Sequence, residues 1–323
     1  MQLRLSKLNK TPAYIAAFWQ IFLVKRSLNS PYKTAPQAGC SRGIDFYKPA
    51  VFYRILANAM MGFKETHGQF PNLINPKTLN EKSFWTIFFG NIKVPEAGNK
   101  LLTSRFIPED LNNLISCPEI IWHSAQSKLP ENDDIAAGTY YLKANHGSNM
   151  VKRIHYPLSL EEVKKLESVF SQWLVYEYGL TNGEWWYNTF PKELLIEKGI
   201  SDDLNPIAWG VFVVGGEIAY INMVQKIDNE LFINWLDSDF SLLPQQGAAY
   251  KRIVGYKLPK HAAQMKLLSL RLAAPFNFVR VDFLVDSDDT LYLGEMTFSP
   301  GNALIQRPKA LDLTLGDKLK CLN

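Results

Sequence analysis

The sequence is poor in the residues that staple small folds or hold structural metals. It has three cysteines, Cys40, Cys117 and Cys321, and five histidines, none at a metal-ligand spacing. That argues against a zinc finger and against a disulfide framework, and fits a reduced, cytoplasmic setting. No apolar run approaches the roughly 20 residues that cross a bilayer. The nearest candidate, Ala13 to Val24, is interrupted by Gln20 and ends on Lys25 and Arg26. It fits a secretory signal poorly, since no small-x-small cleavage site lies close behind it. Internal repeats and low-complexity stretches are absent, and so is the Gly-x-x-x-x-Gly-Lys spacing of a P-loop.

Acid is missing from one region altogether. The first 44 residues hold Arg4, Lys7, Lys10, Lys25, Arg26, Lys33 and Arg42 but no Asp or Glu, although the whole chain carries a net charge of only +4. The rest of the chain is therefore slightly acidic. Within the basic stretch, Tyr14, Phe18, Trp19 and Phe22 lie on the apolar run. Two readings stay open: a helix that packs on the body, or a basic, aromatic helix lying on the inner, anionic face of a membrane, which would give residues 1–44 a peripheral contact. Outside this stretch no basic stripe with interleaved aromatics occurs, which argues against a nucleic-acid partner.

What is present is an ordinary globular balance, 47% hydrophobic and 20% charged, enough chain for two or three lobes. From Tyr47 to about Phe89 the pattern is helical in pieces, broken at Gly68 to Pro71 and at Asn75-Pro76. Thr78 followed by Glu81 makes a capping box, as does Ser159 with Glu162. From Thr139 the texture turns to strands and short helices. Tyr140 to Lys143 and Glu193 to Glu197 read as strands. Ala208 to Val214 with Glu217 to Gln225, and Asn277 to Val285 with Thr290 to Thr297, read as hairpins, with a helix from Pro259 to Ala273 between them. The class is α+β, with a mostly helical N-terminal region.

The second hairpin carries the chemistry. Alternate strand residues share a face, so Arg280 joins Asp282, and Glu295 joins Thr297. Pairing Val285 with Thr290 would set Arg280 opposite Glu295 and Asp282 opposite Leu293, leaving Asp282 and Glu295 diagonal neighbours. Two carboxylates converging from a rigid hairpin suit Mg²⁺, which takes few protein ligands. Arg280 beside them can brace charge on a phosphoryl group. The plainer alternative is an Arg–Glu cross-strand ion pair with a solvated Asp.

Two weaker signals precede it. Lys143 ends a strand before Gly147 and Ser148, an arrangement that can cradle phosphate but is also common as plain structure. Leu194 to Gly199 is a strand ending in an acid and a glycine, able to offer Ile196, Glu197 and Lys198 to adenine and ribose, or to be merely a strand end. Trp185, Trp186 and Tyr187 can be read as a sugar-stacking platform or as an aromatic core.

In order along the chain, these pieces resemble the ATP-grasp superfamily, and within it the TupA-like branch of teichuronopeptide biosynthesis. The resemblance is carried by Asn75-Pro-Lys-Thr-Leu-Asn-Glu-Lys82, Leu142-Lys-Ala-Asn-His-Gly-Ser148, Val279-Arg-Val-Asp-Phe283 and Gly294-Glu-Met-Thr-Phe-Ser-Pro-Gly301. It implies two α+β lobes gripping ATP: 139–200 with a phosphate loop and 201–316 with a metal-binding hairpin, after a basic arm at 1–45 and an N-terminal region at 46–138. Lys100 and Lys143 would hold phosphates, Gly147-Ser148 would close over them, and Ile196 to Lys198 would line the adenine slot. Asp282, Glu295 and Thr297 would hold Mg²⁺, with Arg280 facing the reacting phosphoryl group. The chain departs from the branch at Ile207-Ala208-Trp209, where Asp-Tyr-Lys is usual, at Gln225-Lys226-Ile227, and at Asn99, where an Asp is expected.

The resemblance implies a carboxylate–amine ligase. A carboxylate, by association a uronic acid of a surface polysaccharide or its precursor, would be activated as an acyl phosphate and joined to an amine such as an amino acid. Two other readings stand beside it: an ATP-dependent phosphoryl transferase acting on a glycan, and a degenerate ATP-grasp scaffold in polysaccharide assembly.

Overall fold

The computed structural model describes residues 11–200, 207–228, 230–244, 247, 250–286 and 288–319. Arg4, Lys7, Lys10 and Cys321 fall outside them. The chain forms two compact units, Met1–Lys93 with Leu180–Trp185 and Gly301–Asn323, and Val94–Gly179 with Trp186–Pro300.

The first unit is helical. α1 (Thr11–Arg26), α2 (Gly43–Phe46), α3 (Pro49–His67), α4 (Leu79–Phe89) and, near the end of the chain, α8 (Lys309–Lys318) build it. Pro49 opens α3, where the missing N–H costs nothing, and Gly68 closes it in the left-handed conformation at φ 80°. The expected capping box at Thr78 and Glu81 is present. Glu81 also accepts from the Lys77 and Asn72 amides at 2.8 and 3.1 Å, so one carboxylate organises the whole turn before α4. Phe52, Phe63, Phe84, Phe88 and Phe89 form an aromatic core, mostly edge-on, as ring quadrupoles prefer.

The second unit holds two antiparallel sheets. The first contains β1 (Ile120–Ser124), β2 (Gly138–Ala144), β3 (Val151–Tyr156) and β4 (Leu194–Lys198), in the order β1-β4-β2-β3. Between its third and fourth strands run α5 (Leu160–Val175) and the short α6 (Tyr178–Asn182). Leu142, Ala144, Leu194 and Ile196 point to one side and pack with Val163, Leu166, Phe170 and Trp173 of α5. By the alternation of a strand, Lys143 and Glu197 point to the other side.

The second sheet runs β7-β6-β5-β8-β9 and contains β5 (Ala208–Val214), β6 (Glu217–Ile227), β7 (Glu230–Leu236), β8 (Phe278–Val285) and β9 (Leu291–Thr297). The helix before β8, α7 (Ala262–Ala273), buries Met265, Leu268 and Leu272 against Trp209, Val211, Val213, Val279, Val281 and Phe283. The intervening residues Gly210, Phe212, Arg280 and Asp282 are thereby turned to the opposite face. The alternation thus segregates chemistry from core.

Both expected hairpins are present, but the register of the second differs from expectation. Val285 pairs with Leu291, not Thr290, and a bulge at Gly294 shifts the ladder, so that Asp282 lies directly opposite Glu295 and Arg280 opposite Thr297. The loop sets the first pair: Asp286 accepts from the amides of Asp288 and Thr290 and so takes five residues to turn. The bulge then adds one residue to β9, which bends the strand and re-aims Glu295 and Thr297. Strands β1, β3 and β7 and helix α8 were not anticipated, and the helix expected from Pro259 starts at Ala262.

Candidate functional site

Pairing across four strands brings Asn222, Gly210, Asp282 and Glu295 into one row on the face away from α7. The adjacent row is Tyr220, Phe212, Arg280 and Thr297. Arg280 holds Asp282 with two hydrogen bonds, Nε to Oδ1 at 2.5 Å and Nη2 to Oδ2 at 2.6 Å. Its Nη2 is also 3.6 Å from Glu295 Oε1 and donates to Thr297 Oγ1 at 3.3 Å. The Thr297 hydroxyl donates to Glu295 Oε1 at 3.0 Å and lies 3.4 Å from Asp282 Oδ2. The Arg280 guanidinium rests over the Phe212 ring, 5.8 Å from its centre. Two carboxylates, a hydroxyl and a guanidinium thus share one small volume.

The lysines complete it. Lys100, the first residue of a short 3-10 segment, donates through Nζ to Gly147 O at 2.7 Å and stands 4.0 Å from Glu295 Oε2. Lys143 is paired with Glu197 at 2.5 Å, on the outward face of the four-stranded sheet. The β2–β3 loop is pinned from below by Asn145, whose side chain donates to Pro191 O and accepts from the Glu193 amide. Gly147 needs its φ of +74°, and a Cβ there would lie 2.5 Å from the Tyr178 ring. Ser148 is exposed beside it.

The electrostatics are those of crowded charge. Burial pushes the Asp282 carboxyl up to about 6, against the pull of Arg280 and with the help of Glu295. Burial also works against the Glu295 carboxylate, but Lys100, Arg280, the Thr297 hydroxyl and Lys143 together hold it below its ordinary value. Arg280 is pushed upward, because Asp282 outweighs the cost of burying the guanidinium. Next to the Lys143–Glu197 pair, burial raises the Cys117 thiol to about 12, so it is a neutral group and no nucleophile.

A cavity of about 380 Å³ opens over this face, lined among others by Lys143, Gly210, Asn222, Arg280, Asp282 and Glu295. Two observations bear on whether it could take a hard cation. A Cβ on Gly210 would come within 3.0 Å of Asp282 Oδ1 and of Arg280 Cδ, so the missing side chain keeps the space above the carboxylate open. Asn222 Oδ1 is buried with no hydrogen-bond partner, an acceptor in need of a donor or cation. The remaining donors are carboxylate and hydroxyl oxygens, the set Mg²⁺ prefers. Among the described residues no group of three His, Cys, Asp or Glu side chains could hold a metal by itself. Two carboxylates with Thr297 would leave the other coordination positions to phosphate and water.

Of the residues singled out from the sequence, Lys100, Gly147, Arg280, Asp282, Glu295 and Thr297 come together, and Lys143 reaches the same cavity with Glu197 as its counter-ion. Ile196 does not: its side chain is buried against α5. Lys198 is exposed at the strand end, its amide bonded to Glu119 O. Trp185 and Trp186 are fully buried, which makes them core. His146 is buried as well, between Asn145 Oδ1 and Trp173 O, and the His155 ring lies at hydrogen-bond distance from the Thr139 hydroxyl. Gly210 and Asn222 were missed. A glycine amid the bulky strand residues Trp209, Val211 and Phe212 was the available signal, since such a glycine marks a close approach.

Solved structures similar to this chain include D-alanine–D-alanine ligase from Bacillus anthracis complexed with ATP, at 15% identity and a TM-score of 0.41, covering 66% of this chain and 59% of that one. D-alanine–D-alanine ligase from Helicobacter pylori is also 15% identical, with a TM-score of 0.40 and coverage of 75% and 66%. The ATP-grasp ligase PsnB, complexed with a phosphomimetic variant of its minimal precursor, Mg and ADP, is 12% identical with a TM-score of 0.40 and coverage of 70% and 61%. This chain therefore spans less than two thirds of the length of the Bacillus ligase. No curated protein sequence matches it. The model of one family, TupA-like ATP-grasp, matches residues 99–320. That span is more than half of the chain and contains the whole site from Lys100 to Thr297, and the chain belongs to the TupA-like ATP-grasp family.

Proposed function

We propose that this protein is an ATP- and Mg²⁺-dependent carboxylate–amine ligase. The observation that carries the reading is the convergence of Asp282, Glu295 and Thr297 with Arg280 on one open face of a rigid hairpin. In this reading Asp282, Glu295 and Thr297 would hold Mg²⁺, with Asn222 as a further oxygen donor. The metal would neutralise phosphate charge and hold the phosphates in place. Lys100 and Lys143 bind phosphate oxygens, and the Gly147-Ser148 backbone closes over them. Arg280 braces the oxygens of the phosphoryl group in flight, held at the required angle by Asp282 and by its seat on Phe212.

The bonds balance without an enzyme-bound intermediate. A carboxylate oxygen attacks the terminal phosphorus and ADP departs, giving an acyl phosphate. The amine nitrogen then attacks the acyl carbon, inorganic phosphate leaves and the amine proton passes to solvent. Arg280 and the lysines act by position and charge throughout. For the substrates, the reading takes a uronic-acid carboxylate of a surface polysaccharide or its precursor, and an amine such as an amino acid. Its support is the branch to which the chain belongs. ATP as co-substrate argues for a cytoplasmic reaction.

Calorimetric titration with Mg·ATP tests it. The wild type is expected to bind only with metal present, and Asp282→Asn and Glu295→Gln to lose that binding while remaining folded. ADP release on screening sugar acids with amines would then identify the substrates. Phosphorylated glycan without amide would instead make the protein a phosphoryl transferase, and a folded wild type that binds no Mg·ATP would make it a scaffold.

A further inference from the structure

Helix α1 is apolar on two opposite sides. At 100° per residue, Ala13, Ala17, Gln20 and Val24 fall on one side, and Ile15, Phe18, Trp19, Phe22 and Arg26 on the other. The first side is fastened to its own unit. Ala13, Ala17 and Val24 are buried, the Gln20 carboxamide donates to Pro71 O at 3.0 Å and accepts from the Leu73 amide at 3.2 Å, and the Tyr53 hydroxyl donates to Tyr14 O. The second side is therefore held outward and cannot fold in. Ile15, Phe18, Trp19 and Phe22 are 65, 63, 58 and 40% exposed, an unusual concentration of bare aromatic surface. Trp19 and Phe22 stack on each other, and Arg26 lies over Phe22.

The charge around this stripe decides what it meets. Lys25 and Arg26 end the helix, Lys33 follows, Arg4, Lys7 and Lys10 precede it in sequence, and no acid occurs before Asp45. A second copy docked through the same face would bring like charges together. A surface that is apolar below and anionic above answers both features at once. No helix among the described residues is long and apolar enough to cross a membrane, so α1 would lie along the surface.

We propose that α1 docks this protein on an anionic lipid bilayer, with Ile15, Phe18, Trp19 and Phe22 entering the headgroup–acyl boundary and Lys25, Arg26 and Lys33 facing lipid phosphates. The inference uses no residue of the nucleotide site and stands independently of the reaction proposed there. It places the enzyme where a lipid-anchored carboxylate or amine would be presented.

Vesicle flotation with the full chain tests it, using phosphatidylcholine vesicles with and without phosphatidylglycerol. The wild type is expected to float with the anionic vesicles at least about tenfold better than with neutral ones. Raising salt from about 0.1 M to about 1 M should weaken that binding as the screening length falls from about 10 to about 3 Å. The triple variant Phe18→Ser, Trp19→Ser, Phe22→Ser and the double variant Lys25→Glu, Arg26→Glu should each lose about tenfold in partitioning, while circular dichroism shows the fold retained, since every altered side chain is exposed. Should the triple variant misfold, the double variant decides alone. Absence of wild-type binding to anionic vesicles, or undiminished binding by the double variant, overturns the proposal. So does a wild-type dimer that the triple variant converts to monomer, which would give the face to a second copy.

Discussion

Gly210 shows how an absent side chain can shape a site. Its neighbours in the row, Asn222 and Asp282, both line the cavity, and a methyl group between them would stand 3.0 Å from Asp282 Oδ1. Gly210→Ala is expected to weaken Mg·ATP binding about tenfold, about 1.4 kcal/mol, and Gly210→Val to abolish it, both measured by calorimetry on folded protein. His146 allows a prediction of a different kind. Burial, assisted by Lys192 and Lys100, pushes its imidazole down to about 4 against the bond to Trp173 O, so the folded state holds it neutral. The unfolded chain takes up that proton at its ordinary value near 6.5. Stability should therefore be fully present above about pH 6.5 and fall as pH drops toward 4, by up to about 3 kcal/mol from this residue. Urea unfolding across that range should show a shallower slope in His146→Gln; an equal slope would mean the ring is charged in the fold. Arg280 and Asp282 were legible in the sequence because alternation alone fixes which side of a strand they occupy, whereas Glu295 and Thr297 reach that side only through the bulge at Gly294, strict alternation setting them with Leu291 and Leu293. Asn222 was not legible, because its place in the row depends on which strands pair, and no residue near it records that.

At the scale of elements, the hairpin of β8 and β9 was legible in outline, but its register differs from expectation by one residue at the turn and by two beyond the bulge. Its apolar pattern, Val279, Val281 and Phe283 against Leu291 and Leu293, fits the observed register alone, since pairing Val285 with Thr290 would turn Leu291 and Leu293 away from Val281 and Phe283. The five-residue loop sets the pair Val285–Leu291, and the bulge at Gly294 shifts the ladder once more before Glu295, marked in the sequence only by the three-residue step from Leu293 to Met296. β3 escaped notice for another reason. Val151, Lys152 and Arg153 are all exposed, so the first half of the strand carries no alternation. The capped helices α4 and α5 were the easiest to read, since a capping box is a local motif whose partners lie three residues apart. The packing of α8 on the start of α4 was invisible, although it is tight. A Cβ on Gly316 would stand 2.0 Å from Lys77 O and 2.8 Å from the Thr78 carbonyl carbon, and Lys82 Nζ donates to Gly316 O at 2.6 Å. Backbone cannot step aside as a side-chain tip can. Gly316→Ala is expected to cost about 3 kcal/mol in chemical denaturation. Gly62→Ala, in α3 with nothing within 4 Å of its Cβ, is expected to gain about 0.5–1 kcal/mol by the same measurement. Equal effects at the two sites would mean that helix propensity, not close approach, governs both.

At the scale of the whole molecule, the proposed ligands of Mg·ATP all belong to the second compact unit, whereas α1 and its exposed stripe belong to the first. A ligand that binds only the native state stabilises it by mass action, about 2.7 kcal/mol when present at a hundred times its dissociation constant. That stabilisation has an address. Amide hydrogen exchange with Mg·ATP is expected to slow in the β2–β3 loop around Gly147, in the β8–β9 hairpin and in β5 and β6, because opening any of these destroys the ligand set. Exchange in α3 and α4 should change far less. Glu295→Gln should abolish the effect throughout, and ATP without metal should give little of it. Protection that rose in α3 and α4 as strongly as in β8 would mean that the first unit supplies part of the nucleotide site, and the ligand set proposed from the hairpin would then be incomplete.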